Sequence, residues 1–119
     1  ERSMPFLIVA QQALKQKHFK AAVPLFRKEL MTQPNSAAAR LGLGIALVFS
    51  DAGYLEAISH LQAGLRELPD EPQAWLALGV ALQNLDRNRE ARAPYEEYLK
   101  RSPNSVEANE VRAALRAMR

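Results

Sequence analysis

The sequence predicts an all-α fold, an α-α superhelix in which three helix-turn-helix hairpins stack as a solenoid and a short C-terminal helix caps them. Three observations carry this prediction. Pro34, Pro69 and Pro103 recur at spacings of 35 and 34 residues, each followed by short polar or acidic residues in "PNS", "PDE" and "PNS", and a fixed period of this size is the mark of a repeat architecture. Within each period the apolar residues fall at helical rather than strand spacing. The composition, 48% hydrophobic but only 7% aromatic, also leans helical.

Units ending on these prolines run over residues 3–36, 37–71 and 72–105 of a single domain spanning residues 1–119. Their columns agree in chemistry. Val9, Leu43 and Leu78 are each followed by a tiny residue, Ala10, Gly44 or Gly79, and three positions later come Ala13, Leu47 and Leu82. In the second half of each unit Ala22, Ala57 and Ala91 precede Phe26, Leu61 and Tyr95 by four residues, and Leu30, Leu65 and Leu99 follow. Trp75, Leu78, Gly79 and Leu82 share one face of a first helix, as Ala91, Tyr95 and Leu99 share one face of a second. The tiny residues mark the crossing of the pair, where a larger side chain would hold axes about 8–10 Å apart from closing. Polar breaks such as "KQKHFK" and "LDRNRE" separate the helices, and each closing proline stops the second helix.

The pattern resembles the tetratricopeptide repeat, whose W-x2-L-G-x2-Y, A-x3-F and P signature is met in the third unit by Trp75, Leu78, Gly79, Ala91, Tyr95 and Pro103, with Leu82 in place of the second aromatic residue. The resemblance covers nearly the whole chain and implies a right-handed solenoid. Departures are specific. Phe6 and Arg40 stand in the tryptophan column, so the second unit is expected to lack its large anchor. The second unit's extra residue lies in "FSDAGYLEA". A column usually small holds Glu29, Gly64 and Tyr98, which weakens the expected close contact in the first and third units.

Residues 106–118 begin where a fourth first helix would begin, and Val111, Leu115 and Met118 give that segment an apolar stripe. A capping helix is expected there, because the last unit of a solenoid needs one polar face; a fourth repeat cut short is the alternative. Pro24 and Pro94 fall inside second helices, where a proline removes a hydrogen bond and clashes with the preceding turn. A bend or slipped start on the outer face is expected.

Composition narrows the function classes. Cysteine is absent, so there is no disulfide, thiolate nucleophile or sulfur-ligated metal. That suits cytosol and periplasm alike; the cytoplasm is the expected compartment and the periplasm the alternative. The apolar run "LGLGIALVF" is too short to span a bilayer, and the N-terminal residues do not read as a signal peptide. The net charge of +3 is spread along the chain. "KQKHFK" reads as a solvated turn, and no nucleic-acid partner is expected, since helical repeats that read RNA carry base-selecting polar columns.

No catalytic site is expected, and no cofactor or metal. His18 and His60 lie on different elements. The G-x-G of "LGLGIA" follows no strand and lacks a third glycine.

The resemblance implies instead that the first helices line a concave groove that binds a partner peptide or helix. Its columns read Leu7, Leu41 and Leu76, then Gln11, Ile45 and Val80, then Lys15, Phe49 and Asn84, with Gln83 beside them. Apolar residues dominate these columns, so an apolar or amphipathic segment of a partner protein is the expected ligand, with self-association as the related alternative. The relatives that grip a C-terminal carboxylate place Lys and Asn where this chain has Leu7, Gln11 and aliphatic residues, so that clamp is not expected. A non-catalytic protein-interaction module is the predicted function, with a structural or oligomerising segment of a larger array as its first competitor and a basic nucleic-acid-binding helical repeat as the second.

Overall fold

The computed structural model describes residues 4–118, and among them the chain forms seven α-helices with no strand. They are α1 (Met4–Lys15), α2 (Phe19–Thr32), α3 (Ala37–Phe49), α4 (Tyr54–Glu67), α5 (Pro72–Asn84), α6 (Asn88–Arg101) and α7 (Ala108–Ala117). Each helix packs on its neighbour in sequence, and α3 also meets α5 across the stack. The molecule is elongated, 47 × 26 × 24 Å, as expected of units that touch only their neighbours.

Every hairpin turns in the same way. Lys17, Asp51 and Asp86 adopt φ of 64°, 56° and 61°, and the next N–H reaches back to close the helix end: His18 to Ala13 at 2.8 Å, Ala52 to Leu47 at 2.9 Å and Arg87 to Leu82 at 2.8 Å. This left-handed exit satisfies carbonyls that the helix end would otherwise strand. The extra residue of the second unit is absorbed after that turn by Gly53, whose φ of 155° is open to glycine but strained for other residues.

The tiny residues sit at the helix crossings. A Cβ added to Gly44 would lie 2.5 Å from the Leu61 side chain, and one added to Gly79 would lie 2.5 Å from the Tyr95 ring. Gly64 serves the next column, since its missing Cβ leaves room for Leu41. Where the same column holds Glu29 and Tyr98, both are buried. Tyr98 puts its hydroxyl 2.6 Å from the Ser105 Oγ and donates to the Glu107 carboxylate at 3.2 Å, which ties α6 to the start of α7.

Arg40 corrects one expectation. It lacks the bulk of a tryptophan but not its hydrogen bond. The Trp75 Nε1–H donates to the Pro69 carbonyl at 2.7 Å, and the Arg40 Nη2 donates to the Pro34 carbonyl at the same distance. Arg112 in α7 completes the series by donating to the Pro103 carbonyl at 2.7 Å. Each closing proline therefore both stops a helix and offers its carbonyl to the first helix of the following unit.

The helices run unbroken through Pro24 and Pro94. Pro24 is exposed as expected; Pro94 is buried, so the outer-face reading does not hold for it. The C-terminal helix begins at Ala108 rather than Val106, which is exposed. Val111 is buried, and Leu115 and Met118 pack against the core. Arg92 holds the far end of α7 through the Leu115 carbonyl at 3.1 Å.

Val9 departs from its column. It is 52% exposed, whereas Leu43 and Leu78 are 1% and 5% exposed. The second helix of the preceding unit packs against α3 and α5, and among the described residues none lies in that position before α1.

Candidate partner-binding groove

The first helices α1, α3 and α5, together with α7, enclose two adjoining hollows. One is lined by Gln11, Leu14, Lys15 and Lys17 from the α1 side, Phe19 and Ile45 at its floor, and Glu71, Gln73 and Glu107 opposite. The other is lined by Phe49, Leu76, Val80, Gln83 and Tyr95, with Glu107, Glu110, Val111 and Ala114 closing it. Glu107 belongs to both, so they form one continuous groove.

The residues singled out from sequence take different places in it. Gln11 and Lys15 are exposed on its α1 wall. Phe49 and Val80 are half-buried and line the second hollow. Ile45 and Leu76 are each 6% exposed, so they form the floor and offer a ligand little area, while Leu41, 3% exposed, lines neither hollow. Leu41 is turned toward Gly64 of α4, which makes it mainly a hairpin contact. Leu7 is half-buried against the core and lines neither hollow. Asn84 donates its amide to the Val80 carbonyl of its own helix at 2.8 Å and also stands outside both.

Several side chains carry prior commitments that fix the groove's shape. Phe49 stacks at a tilt on Phe19, ring centroids 5.3 Å apart, joining α3 to α2. Gln83 accepts a hydrogen bond from the Tyr95 hydroxyl at 2.6 Å. Burial pushes the Tyr95 phenol up to about 12, so it remains a neutral donor at any physiological pH.

The acidic wall was missed in the sequence, though its signal was present. Counting 34 residues on from Gln73, Leu76 and Val80 gives Glu107, Glu110 and Ala114. The groove columns continue into α7, for which a cap is the first expectation and a fourth repeat the alternative.

Most ion pairs lie on or beside the second helices. Arg27 pairs with Glu56 at 2.7 Å, Arg87 with Glu90 at 2.6 Å, and Arg101 with Glu97 at 2.5 Å, whereas Glu29 and Glu67 share no ion pair with a described residue. The Arg27 hydrogen bond holds the Glu56 carboxyl below its ordinary range, and Arg101 does the same for Glu97. Along the groove Lys15, Lys17, Glu71, Glu107 and Glu110 share no ion pair with a described residue. Among the described residues no group of three or more His, Asp or Glu is placed to hold a metal ion. No helix among them is long and apolar enough to cross a membrane. His18 and His60 remain apart, His60 lying 3.3 Å from Glu56 on the outer side.

The family model described as Tetratricopeptide repeat matches residues 51–106, the stretch that holds the α4 to α6 helices and both flanking turns. Residues 51–106 are thereby assigned to the tetratricopeptide repeat, and the helices on either side continue the same fold. Solved structures share the chain's fold over nearly the whole length. The Arabidopsis OM64 TPR domain superposes with a TM-score of 0.80 at 19% identity, covering 100% of this chain and 95% of that one. The first TPR of Spaghetti (RPAP3), bound to the HSP90 peptide SRMEEVD, gives 0.76 at 21% identity and covers 98% and 94%. The Yersinia enterocolitica type III secretion translocator chaperone SycD gives 0.73 at 18% identity and covers 98% and 90%. At these identities the likeness is one of fold. None of the curated proteins matches the chain in sequence. The shared fold carries a concave face, and in this chain that face holds the groove described above.

Proposed function

We propose that the protein docks an apolar or amphipathic segment of a partner protein in the concave groove. The observation that carries this reading is the half-buried apolar strip of Phe49 and Val80, which continues to Val111 and Ala114 and is flanked by polar walls. Apolar surface arranged in a lined hollow on a rigid array is the usual form of a binding site, and a helix or extended segment laid into such a groove buries its own apolar face there. Ile45 and Leu76 support the strip from beneath. The SRMEEVD peptide in the Spaghetti complex ends in Glu-Glu-Val-Asp and is rich in carboxylates. Leu7, Leu41 and Leu76 supply no cation at the groove positions where a carboxylate clamp would need one, so the proposed ligand differs from that peptide.

Val80→Glu is the informative variant, because its side chain is only half-buried; a charge at Ile45 would be forced into the core and unfold the array. Immobilised wild-type protein should retain partners from a lysate that Val80→Glu loses, while Leu55→Glu, on the exposed face of α4, retains them. Equal retention by all three, with circular dichroism unchanged, would refute groove docking.

The exposure of Val9 supports a second reading, association through the outer face of α1. Light scattering over a concentration series decides it: a mass above that of one chain that falls on Val9→Lys supports association, and a single-chain mass throughout excludes it.

A further inference from the structure

The groove has an apolar floor between walls of opposite sign. Lys15 and Lys17 stand on the α1 side; Glu71, Glu107 and Glu110 stand on the side formed by the starts of α5 and α7. None of the five is neutralised by an ion pair with a described residue, whereas on the outer helices Glu56, Glu90, Glu96 and Glu97 are paired and only Glu29 and Glu67 are not. Unneutralised charges beside a low-dielectric floor project their field into the groove, where they act on whatever lies in it. Resting on the docking reading above, we propose that the occupant is an amphipathic helix of a partner protein whose apolar stripe is bordered by acidic residues on one side and basic residues on the other.

The match is to three surfaces at once. An amphipathic helix carries a stripe with two borders, whereas a strand carries two alternating faces and has no border to offer each wall. The acidic border meets Lys15 and Lys17, and the basic border meets Glu71, Glu107 and Glu110. Opposed flanking charges also select one direction for the helix, as they do where charged residues border the apolar seam of a coiled coil. A uniformly charged helix would satisfy one wall and be repelled by the other.

Three fluorescein-labelled helical peptides with one shared apolar stripe test this: one with Glu on one border and Lys on the other, one with Lys on both, one with Glu on both. Fluorescence anisotropy at low salt should rank the mixed peptide about tenfold tighter than either uniform one, a factor equal to about 1.4 kcal/mol. The advantage should shrink at high salt. Lys15→Glu/Lys17→Glu should transfer the preference to the all-Lys peptide, and Glu71→Lys/Glu110→Lys to the all-Glu peptide. Both variants spare Glu107, which holds Tyr98, and circular dichroism verifies their folding. Equal binding of the three peptides that Val80→Glu abolishes would overturn the charge pattern and leave groove docking standing. Binding that Val80→Glu does not weaken, or binding of none of the three, would overturn both.

Discussion

The Trp75 indole donates a hydrogen bond to the Pro69 carbonyl at 2.7 Å, so the first helix of the third unit is fastened to the closing proline of the second. Arg101 adds its guanidinium over the same ring, 5.5 Å from the centroid. Trp75→Phe keeps most of the packing and removes the donor. It should cost about 1 kcal/mol, with Arg40→Ala costing a similar amount at the preceding junction. Chemical denaturation measures both, and a cost near zero at both would mean that the proline carbonyls are satisfied as well by water.

Gly79 should not tolerate even a methyl group. Alanine favours a helix over glycine by about 1 kcal/mol, yet a Cβ at this position would stand 2.5 Å from a Tyr95 ring that its hydrogen bond to Gln83 holds in place. Crowding of this kind costs about 1–3 kcal/mol, so Gly79→Ala is expected to lower the melting temperature. Adding Tyr95→Leu should recover part of the loss; an additive loss would show that the two sites do not press on each other.

The repeats, the hairpins and the close crossings were legible because they rest on local chemistry repeated three times: tiny residues at one column, closing prolines at another. What a side chain does across unit boundaries was not. Arg40 read as a missing anchor, since side-chain volume is visible in a sequence and a guanidinium reaching Pro34 is not. Leu41 read as groove because helical angle alone assigned it there; its contact with Gly64 depends on how far two helices close. Glu107 and Glu110 were overlooked although the period points to them, because a polar terminal helix is sufficiently explained as a cap.

Tyr95 makes stability depend on alkaline pH. Its phenol is held up to about 12 in the fold against an ordinary 10.0, so the folded state favours the neutral form. That contribution is complete below pH 10 and disappears as the pH rises from 10 through 12. Two units correspond to about 2–3 kcal/mol. Burial also raises the Tyr98 phenol, which acts in the same direction. Denaturation midpoints between pH 9 and 12 should fall steeply for wild type and less so for Tyr95→Phe; parallel curves would exclude Tyr95 as the cause.

Glu29 is 2% exposed, and its Oε1 has no hydrogen-bond partner among the described residues. A buried polar atom without a partner costs about 1–3 kcal/mol. Glu29→Met, similar in length and apolar, should therefore stabilise the array by about 1–2 kcal/mol, read as a higher denaturant midpoint. A lower midpoint would show that the carboxylate is held by a contact that the packing of α2 conceals.

The most direct test of the account is a backbone chemical-shift map of the 15N-labelled chain titrated with the mixed-border peptide. Docking in the concave groove predicts saturable shifts clustered at Leu14, Ile45, Phe49, Val80 and Val111, with α2, α4 and α6 little changed on their outer faces. Shifts concentrated on those outer faces, or on Val9 and its neighbours in α1, would contradict it.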